Sequence, residues 1–168
     1  MALSVLPLDL VRWDETKRDC LVLPVFKDDR PLRGAAGLAD WRLCGKLSRL
    51  VKSNRASAEA GESILLPPGR RLRFSKILWF GLGESKGYSD ERFKHDVAWI
   101  TEVVRNAGVT DWAVQPPGRA SGLIGARRAV ELMMDQEALD TQAVALLEDP
   151  AGQKDIAELL RSQREALR

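Results

Sequence analysis

Two uninterrupted apolar runs limit what this chain can fold into. Residues 20–26 read C-L-V-L-P-V-F, and residues 77–80, in the strand predicted at 76–80, read I-L-W-F. A strand with one solvated face alternates apolar and polar residues, whereas a strand buried on both faces is apolar along its length. The two runs therefore predict central strands of a sheet that is covered on both sides.

Helical patterns alternate with such strands along the rest of the chain. Further strands are predicted at residues 2–11, 62–66, 112–114 and 141–147, and helices at 38–51, 90–107, 122–138 and 153–167. Ser89 is suited to cap the second of these helices, with Asp90 and Glu91 in its first turn, and Ser121 to cap the third. This alternation predicts an α/β fold with a mostly parallel sheet, formed by one domain over residues 1–168.

Composition narrows the function classes. The 168 residues are 45% hydrophobic and 30% charged, with a net charge of +2, which does not call for nucleic acid or an anionic membrane as partner. No apolar run approaches the roughly 20 residues that span a bilayer. The first ten residues lack the basic region of a signal peptide, so we expect a cytoplasmic protein. Cys20 and Cys44 are expected to be buried free thiols.

A glycine-rich loop after the second apolar run is the candidate binding site. It reads G-L-G-E-S-K-G, and its candidate ligand-binding residues are Gly81, Gly83, Glu84, Ser85 and Gly87. Exposed amides between a strand and a helix can bind an anion. The spacing is nevertheless that of neither a dinucleotide fingerprint nor a Walker loop. The alternative is a tight turn in which glycine supplies positive φ and close packing.

The chain offers no convincing catalytic constellation and no zinc-binding spacing. It contains no H-E-x-x-H and no C-x-x-C. The lone histidine, His95, lies among charged residues, which predicts a solvated helix face. The pair Asp28 and Asp29 is interpreted as turn residues. We therefore expect no catalytic residue, no metal and no cofactor.

Four segments in order carry a resemblance to a known family. They are D-C-L-V-L-P-V-F-K-D-D from residue 19, L-A-D-W-R-L-C-G-K-L-S-R-L-V-K-S from 38, G-E-S-I-L-L-P from 61, and K-I-L-W-F-G-L-G-E-S-K-G-Y-S-D-E-R-F from 76. Over roughly residues 15–148 the chain resembles the N-terminal domain of the leucyl aminopeptidases, peptidase family M17. The resemblance implies a three-layer α/β/α sandwich similar to macro domains.

The resemblance also implies what this chain does not contain. The family's chemistry belongs to a separate C-terminal domain, where lysine and carboxylates hold two metal ions and N-T-D-A-E-G-R-L is the signature. That signature does not occur here, so no catalytic or metal residue carries over. The resemblance implies a stand-alone, non-catalytic domain that self-associates or binds a protein partner, such as an aminopeptidase catalytic chain.

Two alternatives to protein binding come from the same family relationships. Macro domains often bind ADP-ribose, but Leu23 and Phe26 stand here where that pattern has polar residues. A DNA-binding accessory role is the other alternative, and the acids that accompany the arginine clusters argue against it. Among five tryptophans, Trp79 is expected in the core, while Trp13 and Trp99 are considered as interface anchors, with core support as their alternative role.

Overall fold

The computed structural model describes residues 2–168; Met1, the first residue of the expected domain, lies outside them. The strands are β1 (Ala2–Pro7), β2 (Arg18–Val25), β3 (Ser63–Leu66), β4 (Phe74–Gly81), β5 (Asp111–Val114) and β6 (Ala143–Glu148). They form one sheet in the order β1-β6-β5-β2-β4-β3. Every neighbouring pair is parallel except β3 and β4. The predicted mostly parallel α/β sheet is confirmed.

Helices cover both faces of this sheet. They are α1 (Leu10–Asp14), α2 (Gly34–Arg42), α3 (Lys46–Lys52), α4 (Asp90–Asn106), α5 (Ala126–Met134) and α6 (Pro150–Ala166), with a 3₁₀ turn at Glu137–Leu139. Buried residues of α1, α2 and α3 form one core cluster with the sheet, and those of α4, α5 and α6 form another on the opposite face. The architecture is therefore the three-layer α/β/α sandwich. Within residues 2–168 no helix has both the length and the apolar character needed to cross a membrane.

The prediction of a single helix at residues 38–51 is wrong. The chain forms α2 and α3 instead, separated by Cys44 at φ 56° and Gly45 at φ 80°. A left-handed residue cannot continue a right-handed helix, so the chain turns between them. Cys44 is exposed at this turn, which corrects the expectation that it is buried, whereas Cys20 is buried in β2.

Two further predicted elements are shorter than expected. The strand predicted at residues 2–11 ends at Pro7, and Asp9 caps α1 by accepting a hydrogen bond from the Val11 amide. The helix predicted at 122–138 covers Ala126–Met134, with Gly125 rather than Ser121 at its N-cap. Gly122, at φ 71°, lies in the turn that precedes this helix.

The parallel strands bring three loops and the start of α6 to one edge of the sheet. The carboxyl ends of β2, β4, β5 and β6 point the same way, so the segments that follow them are neighbours. We call this the carboxyl edge; its loops are residues 26–33, 82–89 and 115–125, with the start of α6 at 149. Ligands of open α/β sheets bind at such edges, so the candidate site is sought there.

Candidate functional site

The glycine loop rests directly on the backbone of residues 58–61. A Cβ on Gly81 would lie 2.2 Å from the Glu59 carbonyl oxygen. Gly83 has φ +74°, and its amide donates to the Ala58 carbonyl at 2.9 Å. Gly87 also has positive φ, at +72°. Close approach and backbone conformation account for glycine at these positions.

An internal carboxylate occupies the candidate anion position at Ser85. Asp28 accepts the Ser85 amide at 2.8 Å and also the Ser85 hydroxyl. These two hydrogen bonds, the hydroxyl's first, hold the pKa of Asp28 below its usual value. The carboxylate therefore makes the contacts that a ligand's phosphate would otherwise make.

Arg92 of α4 fixes the carbonyl groups of the same loop. Its guanidinium donates to the carbonyl oxygens of Leu82 at 3.3 Å, Glu84 at 2.9 Å and Lys86 at 3.2 Å. It also lies 4.8 Å from the ring centroid of Tyr88. The side chains of Glu84 and Lys86 are both exposed, so the loop presents one negative and one positive charge to solvent.

The depression between β2 and β5 is almost filled. The side-chain oxygen of Gln115 accepts a hydrogen bond from the Ala35 amide at 2.8 Å. This amide of the first turn of α2 is therefore already paired. A Cβ on Gly34 would lie 2.1 Å from that oxygen. Only about 20 Å³ of this depression is accessible to the centre of a water molecule. A nucleotide does not fit unless these side chains move.

Asp29 joins two loops of the carboxyl edge, which corrects the predicted capping role of Ser121. Its carboxylate accepts the Phe26 amide at 3.2 Å and the Ser121 hydroxyl at 3.2 Å. Asp28 and Asp29, interpreted from the sequence as turn residues, lie in the loop after β2 and link it to the loops at 82–89 and 115–125.

A buried ion pair closes the edge at β6. Arg119 donates to the two carboxylate oxygens of Glu148 at 2.7 and 2.8 Å, and also to the Ile124 carbonyl at 2.9 Å. Glu148 is only 1% exposed. The hydrogen bond to Glu148 is the largest cause that raises the pKa of Arg119. Bidentate geometry of this kind is what makes a buried charge tolerable.

Sequence reasoning did not single out Gln115, Arg119 or Glu148. A glutamate that ends a continuously apolar strand is a usable signal, because a buried carboxylate needs a partner. The partner itself lies 29 residues earlier, in a loop, and no local pattern marks it. Long-range pairs of this type emerge only with the fold.

The lone histidine lies at the protein surface, on α4. The side chain of His95 is 83% exposed, as its charged neighbours predict. Among residues 2–168 no group of three or more His, Cys, Asp or Glu side chains is arranged to hold a metal ion.

The tryptophans divide clearly between core and surface. Trp13 and Trp79 are fully buried, and Trp99 is half-buried with its ring edge-on to Phe80 at 5.1 Å. Trp41, by contrast, is 74% exposed. It lies on α2, where sequence analysis placed it only as part of a helical pattern. The exposed aromatic residue is therefore not one of the two that were considered as interface anchors.

Comparison with known proteins identifies relatives for part of the chain. The sequence profile of the family described as "Cytosol aminopeptidase family, N-terminal domain" matches residues 22–137. A probable cytosol aminopeptidase of Burkholderia multivorans is 32% identical over 85 residues, which are 49% of this chain and 17% of that protein. The chain spans about a fifth of the length of the curated relatives it matches.

Solved structures extend the likeness to nearly the whole fold. A mutant of tomato leucine aminopeptidase superposes with a TM-score of 0.61 at 16% identity, over 95% of this chain and 35% of that one. The macrodomain of Mycobacterium tuberculosis DarG gives a TM-score of 0.66 at 16% identity, over 88% and 97% respectively. At these identities the likeness establishes the fold, which is macrodomain-like.

Proposed function

We propose that this chain, which belongs to the N-terminal domain family of the cytosol aminopeptidases, acts by binding protein, either a second copy of itself or a partner. The assignment to the family's N-terminal domain supports a non-catalytic role. The family's catalytic signature is absent from the residues of this chain, so we propose a domain that carries out no peptide hydrolysis itself. We also propose a cytoplasmic location, in line with the cytosol named in the family's description.

One observation carries this proposal: the protein's own acceptors occupy the carboxyl edge of the sheet. Asp28 accepts the Ser85 amide and hydroxyl, and Gln115 accepts the Ala35 amide in the first turn of α2. These are the donors that a phosphate or ribose would use. We therefore propose that the protein partner binds to the outer surface of the domain.

Sedimentation velocity tests the proposal directly. The purified protein is measured over a range of concentrations, alone and mixed with the cytosol aminopeptidase of its own source organism. We expect a concentration-dependent assembly or a co-sedimenting complex. A protein that stays monomeric at every concentration and never co-sediments contradicts the proposal.

Small-ligand binding is the second candidate function. It is favoured by the macrodomain-like fold and by the charged and polar residues around the depression, Asp29, Arg33, Gln115 and Ser121. The ligand-binding role first predicted for Gly81, Gly83, Glu84, Ser85 and Gly87 belongs to this candidate. It requires Asp28 and Gln115 to release the amides they now hold, and stabilisation by ADP-ribose is its test.

A further inference from the structure

The surface between α2 and α3 differs in charge from the rest of the molecule. Residues 30–55 contain seven basic residues and one acidic residue, a net charge of +6 in a chain whose total is +2. The seven are Arg30, Arg33, Arg42, Lys46, Arg49, Lys52 and Arg55. Of these, within residues 2–168 only Arg42 forms a salt bridge, with Asp14. The positive charge of this segment is therefore largely uncompensated.

An open groove of mixed polarity lies within this segment. We call it the Trp41 surface; its lining includes the apolar side chains of Pro31, Leu32 and Trp41, and also Asp40, Cys44 and Ser48. The groove holds about 400 Å³, and a neighbouring depression that shares Pro31, Leu32 and Ser48 with it is bordered by Arg30 and Lys52. Exposed aromatic side chains of this kind are typical anchors of protein interfaces.

The one carboxylate in this segment, that of Asp40, lines the groove and forms no salt bridge within residues 2–168. Asp40 accepts the Ser48 amide at 3.0 Å and the Ser48 hydroxyl, which ties the end of α2 to α3. Arg49 donates to the Cys44 carbonyl at 2.7 Å, which places its guanidinium beside the groove. The basic rim of the Trp41 surface therefore consists of Arg49 beside the groove and of Arg30 and Lys52 at the neighbouring depression, all of them exposed.

We infer that the Trp41 surface docks an acidic segment of a protein partner, whose carboxylates face the basic rim and whose apolar side chain packs against Trp41. The inference rests on the proposed function and names the surface and the partner's chemistry. Charge complementarity selects an acidic partner, because a like-charged one is repelled. A symmetric contact of this surface with its own copy is disfavoured for the same reason.

The observations favour a protein over a nucleic acid. Binding of a single strand uses several aromatic side chains on which successive bases stack. Among residues 2–168 Trp41 is the one exposed Trp, Tyr or Phe residue, and the groove that it borders also contains the apolar side chains of Pro31 and Leu32. Such a groove suits an aliphatic side chain better than a row of bases.

Titration with defined probes tests the inference. The probe is a synthetic peptide of alternating glutamate and serine with two central leucines; its matched controls replace glutamate by glutamine, or leucine by serine. Binding is followed by tryptophan fluorescence and by the rate at which the exposed Cys44 thiol reacts with a maleimide. We expect the acidic leucine peptide to bind and to protect Cys44. Both control peptides should bind at least about tenfold more weakly.

Variants of the protein locate the surface. Trp41→Ala is expected to weaken peptide binding about tenfold or more, and Lys52→Glu to weaken it with a loss of salt dependence. Lys154→Glu, on α6 across the sheet, is the matched control and should bind as the unchanged protein does. Because Trp41 is exposed, its replacement is expected to leave the melting temperature nearly unchanged.

Each other outcome overturns the inference in an identifiable way. Tighter binding of a thymidine oligonucleotide than of the acidic peptide assigns the surface to nucleic acid. Self-association that Trp41→Ala abolishes assigns it to a second copy. Peptide binding that is absent, or unaffected by Trp41→Ala, removes the docking role of this surface. If Trp41→Ala leaves sedimenting complexes intact, the proposed function stands and only this inference fails.

Discussion

Replacing Glu62 by glutamine is expected to loosen the junction on which the glycine loop rests. One carboxylate oxygen of Glu62 accepts the Ser57 amide at 3.0 Å and hydroxyl at 2.7 Å. The other accepts the Ala58 amide at 2.9 Å and the Trp79 indole N–H at 2.9 Å. This carboxylate therefore holds the loop at residues 57–62, against which Gly81 and Gly83 pack.

The expected cost follows from these four donors. Glutamine offers one oxygen, so its NH₂ group must face one pair of donors and leave them unpaired. Hydrogen bonds to a charged group contribute about 1.5–3 kcal/mol each, and losses within one cluster do not add fully. We expect Glu62→Gln to lower the free energy of unfolding by about 3 kcal/mol.

The pH dependence gives an independent signature. Burial acts to raise the pKa of Glu62, but the hydrogen bonds from Ser57, Ala58 and Trp79 outweigh it and hold the pKa below its usual value. A carboxyl with a lower pKa in the folded state stabilises the fold above its unfolded pKa. That contribution is lost as the pH falls through the folded value. The difference in stability between the unchanged protein and Glu62→Gln should therefore shrink below about pH 4.

Urea unfolding followed by tryptophan fluorescence measures both effects. Glu59→Gln is the matched control, because Glu59 lies in the same loop but is exposed, and within residues 2–168 its side chain pairs only with Lys27, at 2.5 Å. We expect that variant to unfold nearly as the unchanged protein does. Equal stability of the two variants, or a Glu62→Gln effect that does not change with pH, refutes the structural role assigned to Glu62.

Other substitutions and a chemical probe test neighbouring features. Gly81→Ala brings a methyl group against a backbone carbonyl and should lower the free energy of unfolding by more than about 3 kcal/mol. Gly87 has open space around it, so Gly87→Ala should lower it by only about 1 kcal/mol, the cost of the positive φ. Thermal unfolding of both variants measures the difference. Arg119→Ala leaves the carboxylate at the end of β6 buried without its partner and should lower the unfolding free energy by about 3–5 kcal/mol; a change below about 1 kcal/mol refutes the buried pair. Cys44 should react with a maleimide in the folded protein, while Cys20, whose pKa burial raises to about 12, should react only after unfolding; mass mapping of the labelled thiol distinguishes the two.

The elements that the sequence predicted well are those with a local cause. Ser89 caps α4 by accepting the Arg92 amide at 3.3 Å, with Asp90 and Glu91 in the first turn, as their side-chain chemistry predicts. The apolar run before Gly81 is a strand buried between two layers because nothing polar interrupts it.

The elements that were missed depend on contacts far along the chain or on a single backbone angle. The break between α2 and α3 depends on the positive φ of Cys44, and the residue type alone does not predict that conformation. The closure of the carboxyl edge depends on the hydrogen bond that the Ala35 amide donates to Gln115, 80 residues further along the chain. The exposure of Trp41 is equally non-local, since helical spacing alone does not say which side of α2 remains uncovered.

Thermal unfolding in the presence of ADP-ribose is the measurement that tests the central claim most directly. At about 1 mM, a ligand with a Kd of about 10 μM stabilises the folded state by about 2.7 kcal/mol, which raises the melting temperature measurably. If the carboxyl edge is closed by Asp28 and Gln115, the melting temperature should not change. A clear rise that disappears when Gly83 is replaced by a bulkier residue in a protein that still folds would contradict the account, and would assign the glycine loop to ligand binding.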